Sequence, residues 1–487
     1  MIRKIAFTLL FTCILVACQK EKQSPAESKT DGRDVTRLSA EKLLQDYKPG
    51  FILRTNGSSL AAIREVLAKN GAKETGYLPQ LGMMFVKSPA SVTVFTSQLK
   101  GLNVKIGLDF AIKSPAALLT KEPSGNNPPS TGSTNPYFSL QWSMDAIDAP
   151  QAWNAGYLGA GATVAVLDEG FWLNHPDLSA NFLKSKARNF VNRDDLGAPF
   201  CGSFPECDPS DVGKKASDFS HATFVSGIIA AGNNSVGTIG VAPSAKILPV
   251  KVLSDYAGFG ITSWIAQGIV YAADQGVNVI NMSFGGLDIK GFGKGANEVQ
   301  EDIRALNDAI QYANSKGVLV VCAAGNSAID FDHPYIDEDG IFYGGSIISM
   351  PAGSPHALSI SATSPYGFAY DQTTDLDIPS SYTNYGSSTI NFAAPGGDFD
   401  HPGDLWFYDM VLSPGGGPPA NYYYFAAGTS IAAPHVSGVA ALIYGKYPGI
   451  KPAQVKSILA KSADDLGKRG NDPYFGGGRV NAGKAVQ

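Results

Sequence analysis

Asp168, His221 and Ser430 are residue types that can together make a serine hydroxyl reactive. A serine hydroxyl is a weak nucleophile and needs a base within hydrogen-bond reach. A histidine accepts a proton near neutral pH, and a carboxylate behind the histidine holds its tautomer and stabilises the imidazolium. Small residues surround the serine in "AAGTSIAAPHVSGVAALI", which leaves room for a substrate and a base. The alternative for this stretch is a small-residue helix that packs against a sheet.

Asn326 is a fourth candidate because it ends the apolar run "GVLVVCAAGN". A side-chain amide at this place could donate a hydrogen bond to the oxyanion of a tetrahedral intermediate, together with the main-chain N–H of Ser430. The loss of one such donor typically costs roughly 10²–10³ in turnover. The residue types therefore supply a nucleophile, a base, an orienting carboxylate and an oxyanion donor.

The elements that must position these residues are apolar strands that alternate with helices in the C-terminal part of the chain. The strands are "ATVAVLD", "AKILPVKVL", "GVNVINMSF", "GVLVVCAAGN", "ALSISAT" and "TINFAAPG". Continuous apolar strands of this kind predict an α/β fold, with a mostly parallel sheet that helices cover on both faces. Active sites of such sheets lie at the carboxyl ends of the strands. Asp168 and Asn326 end strands, while His221 and Ser430 begin helix-like runs.

The chain order Asp, His, Ser is that of subtilisin-like triads and differs from the orders of other serine hydrolases. Five blocks resemble the conserved blocks of subtilases in the same order: "VAVLDEGFWLNHPDL", "HATFVSGIIAAGNNSVGTIGVAP", "VNVINMSFGG", "VVCAAGN" and "GTSIAAPHVSGVAAL". Several blocks in the right order are far more specific than a single motif. The resemblance implies a subtilisin-like fold, a triad of Asp168, His221 and Ser430, and Asn326 as the oxyanion donor.

The resemblance also implies two segments that hold the substrate. One is Ser283, Phe284 and Gly285, and the opposing edge is Gly258, Phe259 and Gly260. A substrate held between them through its main chain resembles strand addition, which favours broad specificity for extended or unfolded polypeptides. We therefore predict a serine endopeptidase that hydrolyses peptide bonds of such chains through an acyl-enzyme intermediate.

Two other functions remain open from the residues alone. One is a catalytically inactive binding lipoprotein on the same fold, because Ala222 and Phe224 stand where subtilases usually have Gly and His, and Glu169 stands where they usually have Ser or Thr. The other is an esterase or amidase with the same triad. The inactive alternative predicts no reaction of Ser430 with a fluorophosphonate, and the esterase predicts activity on small esters but none on denatured protein.

A structural calcium ion is the cofactor that the resemblance implies. The segment "GNNSVGT", residues 232–238, resembles the subtilase loop that binds calcium through carbonyls and an Asn side chain. The implied ligands are Asp177, Gly232, Asn234, Val236 and Thr238. Oxygen ligands of this kind suit a hard cation, and the alternative is a Gly- and Asn-rich turn that binds no ion.

The N-terminus predicts export and a lipid anchor. A charged start and a short apolar stretch precede "LVAC", which resembles a bacterial lipobox. Residues 1–17 are thus predicted as a lipoprotein signal peptide, Cys18 as the lipidated residue, and residues 18–48 as a flexible tether. A plain secretory signal is the alternative. We expect a lipid-anchored protein of the cell envelope, at the outer membrane or cell surface, with release after processing as a further outcome.

Three segments follow the tether. In residues 49–113, the strands "GFILRT", "GMMFVKS" and "VKIGLDFAIKS" alternate with two helices, which predicts a small α+β unit with both helices on one sheet face. Its size and position resemble a subtilase propeptide, and an accessory domain that is never removed is the alternative. Residues 114–136 are rich in Pro, Gly, Ser and Asn and predict an exposed processing linker. Residues 137–487 form the predicted catalytic domain.

Composition limits the partners. The formal charge of −5 over 487 residues provides no basic surface for nucleic acid. The expected partners are polypeptide substrates, the protein's own propeptide and a membrane at the lipid anchor, and we expect a monomer.

Cys201 and Cys207 lie close together in an insertion between Asp168 and His221, and in an oxidising compartment they predict a disulfide rather than two free thiols.

Overall fold

The computed structural model describes residues 50–113, 133–192, 208, 210–214, 219–289, 296–336, 342–343, 347–401, 403–416 and 423–487. The predicted signal peptide, the tether with Cys18, and the Cys201–Cys207 pair lie outside the described residues, as do residues 114–132 of the predicted linker.

The secondary structure falls into two groups along the chain. The N-terminal group comprises β1 (Gly50–Arg54), α1 (Leu60–Lys69), β2 (Lys73–Leu78), β3 (Met83–Lys87), α2 (Val92–Gln98), β4 (Lys105–Asp109) and β5 (Ala111–Lys113). The C-terminal helices are α3 (Trp142–Ala146), α4 (Ala149–Asn154), α5 (His221–Ala230), α6 (Thr262–Asp274), α7 (Ala296–Ser315), α8 (Thr429–Lys446), α9 (Pro452–Ser462) and α10 (Ala482–Ala485). The C-terminal strands are β6 (Thr163–Asp168), β7 (Arg188–Asn189), β8 (Lys246–Lys251), β9 (Phe259–Ile261), β10 (Val279–Met282), β11 (Gly286–Ile289), β12 (Leu319–Ala323), β13 (Tyr335–Ile336), β14 (Phe342–Tyr343), β15 (Ile347–Met350), β16 (Leu358–Ser364), β17 (Ile378–Pro379), β18 (Phe392–Pro395), β19 (Val411–Pro414) and β20 (Tyr423–Ala426).

The main sheet has the order β17-β16-β12-β10-β6-β8-β7, and β18 also pairs with β16. All its pairings are parallel except the one between β16 and the short β17. The predicted mostly parallel α/β sheet is therefore confirmed. Asp168 lies at the carboxyl end of the central strand β6, opposite Lys251 of β8.

Both faces of this sheet are buried, and the alternation of side chains along β6 shows why. Val164 and Val166 belong to the core that contains α5 and α8. Ala165 and Leu167 belong to the core on the opposite face, which contains α6 and α7. Because successive strand residues point to opposite faces, a strand between two helical layers must be apolar throughout. Helices α5 and α8 both contact β6, and His221 at the start of α5 bonds to Asp168 at the end of β6.

The N-terminal unit is a four-stranded antiparallel sheet with the order β2-β3-β1-β4. Phe51, Leu53 and Met84 face α1 and α2 in one core. Ile52, Met83 and Phe85 point to the other face and join the core of the C-terminal domain. Strand β2 was absent from the sequence prediction, because its residues "KETGYL" are largely polar and carry no apolar alternation.

Three kinds of contact hold the N-terminal unit against α6, α7 and β9. Strand β5 pairs antiparallel with β9, with Ile112 opposite Gly260. Asp109 accepts a hydrogen bond from the main-chain N–H of Ser263 at the start of α6, at 2.8 Å. Gly107 packs closely against α7, because a Cβ atom on Gly107 would come within 2.8 Å of Cβ of Glu301. Each fully buried apolar side chain at this junction contributes about 1.5–3 kcal/mol.

A search of the described residues for membrane-spanning segments finds no helix with the length and apolarity that a bilayer requires.

We predict that Asp109→Ala loosens the junction between the two parts of the chain. The substitution leaves the Ser263 N–H without its buried acceptor, which costs roughly 1–3 kcal/mol. Hydrogen exchange of the first turn of α6 and of β9 should accelerate in the intact chain. Asp371→Ala is the matched control, because Asp371 accepts only local bonds from Thr373 in an exposed loop. Equal exchange in wild type and Asp109→Ala would contradict the assigned role of this carboxylate.

Candidate active site

The Asp168 carboxylate and the His221 ring form the centre of the site. Nδ1 of His221 lies 3.0 Å from Oδ1 and 2.9 Å from Oδ2 of Asp168. Asp168 is fully buried and also accepts the main-chain N–H of Glu169 at 2.8 Å. Because the carboxylate contacts Nδ1, it favours the tautomer in which Nδ1 carries the proton.

His221 is the first residue of α5, and Ser220 caps that helix by accepting the N–H of Thr223. Burial alone lowers the pKa of His221, but the charge and hydrogen bond of Asp168 outweigh burial, and the pKa lies above its ordinary value. The second ring nitrogen, Nε2, is buried and has no hydrogen-bond partner among the described residues. The ring is therefore oriented through Nδ1 and keeps Nε2 for another group.

Ser430 is the second residue of α8, the helix that packs against α5 and against strands β10, β12, β16 and β18. Its side chain is 5% exposed. Helix α8 is buried through its first four turns, which explains its small residues: larger side chains would not fit between the sheet and α5. The N-terminus of a helix carries partial positive charge, so negative charge that develops next to Ser430 is stabilised there.

Asn326 follows β12, and Thr429 locks its side chain. Oδ1 of Asn326 accepts the main-chain N–H of Thr429 at 2.8 Å and its hydroxyl at 2.7 Å. The same hydroxyl accepts the N–H of Gly325 at 3.0 Å. With Oδ1 occupied in this way, the Nδ2 group of Asn326 is the end of the amide that is left for a ligand.

Gly428 leaves a small space between Oγ of Ser430 and Nδ2 of Asn326. A Cβ atom on Gly428 would lie 2.9 Å from Oγ of Ser430 and 3.4 Å from Nδ2 of Asn326. One point in space is therefore close to both functional atoms, as a substrate carbonyl must be. The geometry brings together Asn326 and Ser430, which lie 104 positions apart in the sequence.

The two predicted substrate segments differ in what contacts them. Phe259 and Gly260 lie in β9 beside Gly258, and this edge pairs with β5 of the N-terminal unit. Ser283, Phe284 and Gly285 connect β10 to β11, and a Cβ atom on Gly285 would touch the carbonyl of Met350 at 3.3 Å. The chain's own β5 therefore occupies one of the two edges.

The predicted calcium ligands converge in one loop. Asp177 is buried, and its Oδ2 accepts the N–H of Thr238 at 3.0 Å, whereas its Oδ1 accepts no hydrogen bond among the described residues. Burial raises the pKa of Asp177 to about 6, which Thr238 opposes through its N–H and hydroxyl. Asn234 accepts the N–H of Val236 at 3.0 Å within the same loop.

Sequence reasoning missed Asn135, which lies at the centre of this loop. Its Nδ2 contacts three main-chain carbonyls, those of Gly232 at 2.8 Å, Val236 at 2.7 Å and Thr238. An amide has two hydrogens and cannot satisfy three acceptors. Three carbonyl oxygens that converge on one buried point next to a carboxylate are the donor set that a hard cation prefers. No cluster of three or more His, Cys, Asp or Glu suited to a metal occurs in the part of the chain that is described.

Two further histidines, a cysteine and Phe224 have surroundings that fit a role in packing. His435 is buried in α8 with Nδ1 3.0 Å from the Ile431 carbonyl, and burial lowers its pKa to about 4. Nδ1 of His175 accepts the N–H of Asp177. Cys322 is a free, buried thiol. Phe224, one of the departures from the subtilase pattern, packs against the ring of Phe219 with centroids 5.8 Å apart.

A buried acid–histidine pair beside a serine-bearing helix is the arrangement that serine hydrolases use to activate a hydroxyl. Residues 159–478 match the Subtilase family. The chain is 34% identical over 355 residues to thermitase of Thermoactinomyces vulgaris, across 72% of this chain and 98% of thermitase. It is 32% identical over 353 residues to subtilisin E of Bacillus subtilis, across 72% of each chain.

A solved structure shares the fold over a longer span. The epidermin leader peptide processing serine protease of Staphylococcus aureus superimposes with a TM-score of 0.68 at 24% identity, across 90% of this chain and 98% of that protein. At this identity the likeness concerns the fold. Together with the family match and the closer relatives, it shows that the chain belongs to the subtilase family and is a serine endopeptidase.

We predict that Gly428→Ala inactivates the protein, because the methyl group would fill the space beside Ser430 and because Gly428 has a φ of +155°, at which a side chain strains the backbone. The added methyl group would lie 2.9 Å from Oγ of Ser430 and would fill the space beside Asn326. Peptidase activity should fall at least about a hundredfold, as when an oxyanion donor is lost. Gly57→Ala is the control, because Gly57 also has a positive φ, +79°, and a Cβ atom there would meet nothing within 4 Å. Full activity of Gly428→Ala would show that the substrate carbonyl does not use this space.

Proposed function

We propose that Ser430, His221, Asp168 and Asn326 hydrolyse peptide bonds through an acyl-enzyme. The observation that carries this proposal is the oriented His221 ring, with Nδ1 2.9 Å from a buried carboxylate and Nε2 without a partner among the described residues. Oγ of Ser430 attacks the carbonyl carbon, and Nε2 of His221 takes the hydroxyl proton. Asp168 stabilises the imidazolium that forms.

The remaining steps follow from the same groups. The carbonyl oxygen becomes an oxyanion, which accepts hydrogen bonds from Nδ2 of Asn326 and from the N–H of Ser430. His221 then gives its proton to the departing amine, and the C–N bond breaks to leave an ester on Ser430. Water attacks this ester with His221 as the base, which releases the acid product and restores the serine.

An extended polypeptide is the proposed substrate. Support comes from β9, whose edge pairs with β5 through main-chain hydrogen bonds and so accepts a strand of this protein itself. Strand addition selects for main-chain conformation more than for side chains. The similarity to thermitase, to subtilisin E and to a leader peptide processing serine protease supports peptide hydrolysis over the esterase alternative.

We propose further that residues 49–113 act as a propeptide that inhibits the enzyme until it is removed. The unit buries one sheet face against the catalytic domain and places β5 on the substrate edge. Cleavage within residues 114–136 would free that edge. Cys18 as a lipid anchor in the cell envelope remains a proposal supported by the N-terminal sequence.

Calcium is the proposed structural ion. Asp177, the Asn234 side chain and the carbonyls of Gly232, Val236 and Thr238 would hold it, and the Asn135 side chain would complete the site through its oxygen after rotation of the amide. The ion would balance the buried Asp177 charge and the converging carbonyls. It would take no part in the reaction.

Intact mass spectrometry of signal-less protein tests the function. We expect the wild type to split within residues 114–136 and Ser430→Ala to remain whole. The wild type should also react with a fluorophosphonate at Ser430 and hydrolyse denatured protein. Cleavage of both chains would assign the cut to a host protease, and the labelling result would then decide. An unlabelled wild type without activity on denatured protein would contradict the proposed triad.

Thermal unfolding tests the calcium site. Removal of calcium with a chelator should lower the Tm, since a ligand at a hundredfold excess over its Kd stabilises by about 2.7 kcal/mol. Asn135→Ala should lower the Tm in calcium and make the chelator effect smaller. Asn471→Ala is the control, because it loses one amide–carbonyl bond of 2.9 Å far from the loop. A Tm that does not change with calcium would contradict the site.

A further inference from the structure

Four charged side chains form a buried cluster behind Asp168 and His221, and we call Glu169, Lys214, Asp255 and Lys251 the rear charge cluster. Lys214 bonds to Glu169 at 2.8 Å and to Asp255 at 2.9 Å. Lys251 bonds to the other oxygen of Asp255 at 2.5 Å. None of the four side chains is more than 13% exposed.

Glu169 connects this cluster to the catalytic histidine. Its Oε1 accepts the main-chain N–H of His221 at 2.8 Å, and the same oxygen accepts the Lys214 ammonium. The preceding residue, Asp168, holds the His221 ring. Adjacent carboxylates at the end of β6 therefore hold the same histidine at two places, its main chain and its ring.

Lys214 comes from the insertion between Asp168 and His221. The N–H of Lys214 donates to the carbonyl of Phe171, and the N–H of Phe171 donates to the carbonyl of Val212. Gly170 permits this approach, because a Cβ atom there would lie 2.8 Å from Cα of Lys214. The backbone thus brings the lysine beside Glu169, the position where subtilases usually carry an uncharged Ser or Thr.

Two carboxylates, those of Asp168 and Glu169, lie against His221, and their negative charges favour the imidazolium form of its ring. A buried cluster of this kind favours the charge distribution of the tetrahedral intermediate.

We propose that Glu169 and Lys214 are positioning residues for His221: Glu169 fixes the main chain of the histidine and supplies a compensating charge, and Lys214 keeps Glu169 ionised and in place. The inference rests on the triad proposed above. The inference gives Glu169 a role, whereas its difference from the Ser or Thr usual in subtilases would otherwise argue against activity.

The electrostatics agree with this role. Burial lowers the pKa of His221, Asp168 and then Glu169 raise it, and Lys214 lowers it. Burial raises the pKa of Glu169 itself, and the Lys214 ammonium opposes that rise. Asp255 and Lys251 are two further charged groups of the rear charge cluster. Removal of the Glu169 charge alone should therefore lower the pKa of His221, and removal of Glu169 and Lys214 charges together should largely restore it.

The test is the pH dependence of kcat/KM for a chromogenic peptide and of fluorophosphonate labelling, in Glu169→Gln and in Glu169→Gln/Lys214→Met. In Glu169→Gln the acidic limb should move to lower pH by roughly one unit. Its plateau kcat/KM should fall roughly tenfold, the equivalent of that shift, with KM little changed. The double variant should return the limb toward the wild-type position. Asp464→Asn, a carboxylate-to-amide change in the separate Arg479–Lys484 cluster, should leave the limb unmoved.

An acidic limb that stays at the wild-type pH in Glu169→Gln, with Ser430 still fully labelled, overturns this inference and leaves the triad intact. A wild type that is not labelled at Ser430 overturns the triad instead. Should Glu169→Gln not fold, Asp255→Asn removes one negative charge from the same cluster. Its limb should move in the same direction by a smaller amount, and an unmoved limb there overturns the inference as well.

Discussion

The hydrogen bond between the buried Asp168 carboxylate and Nδ1 of His221 is the interaction on which the remaining site depends. A carboxylate without contact to water is costly unless hydrogen bonds and opposite charge compensate it. Here the ring of His221 and the N–H of Glu169 supply the bonds. The carboxylate holds the ring through Nδ1 and leaves Nε2 available. In the proposed mechanism it also stabilises the imidazolium, and without its charge Ser430 would have no effective base.

This constraint explains the architecture around the site. A carboxylate at the end of an interior strand is shielded from water and held in place, because helices cover both faces of the sheet. Helix α5 begins with the histidine that contacts this carboxylate, and α8, which carries the serine in its first turn, packs against α5. Close packing of α8 against the sheet favours small residues along that helix. Thr429 orients Asn326 from the same turn that carries Ser430, so the positions of Ser430 and of the Asn326 amide are coupled.

Much of this arrangement could be predicted from the sequence because it follows from local patterns. Apolar runs before Asp168 and Asn326, and helices that begin near His221 and Ser430, predict the parallel sheet and the edge that carries the site. Strand β6 ends at Asp168 as expected, whereas β12 ends at Ala323, three residues before Asn326. Asn135 escaped prediction because it meets Gly232 across 97 positions without a local signal. Lys214 escaped for the same reason: a lysine in a polar insertion is usually solvated, and only the pairing of residues 212–214 with Phe171 buries it. Strand β2 could not be predicted because it lacks apolar alternation. The second buried face of the N-terminal sheet follows from the packing of that sheet against the C-terminal domain, which the sequence pattern does not reveal.

The protonation of the His221 ring tests the central claim most directly. Nitrogen-15 NMR of histidine-labelled protein can determine which ring nitrogen carries the proton, and the signals of six histidines can be assigned by loss of one signal in His221→Ala. Because the pKa of His221 is raised, the measurement is made at alkaline pH, where the ring is neutral. We expect the remaining proton on Nδ1, with a strongly deshielded resonance from its bond to Asp168, and a bare Nε2. A neutral ring with its proton on Nε2, or an Nδ1 proton with an ordinary chemical shift, would contradict the central claim.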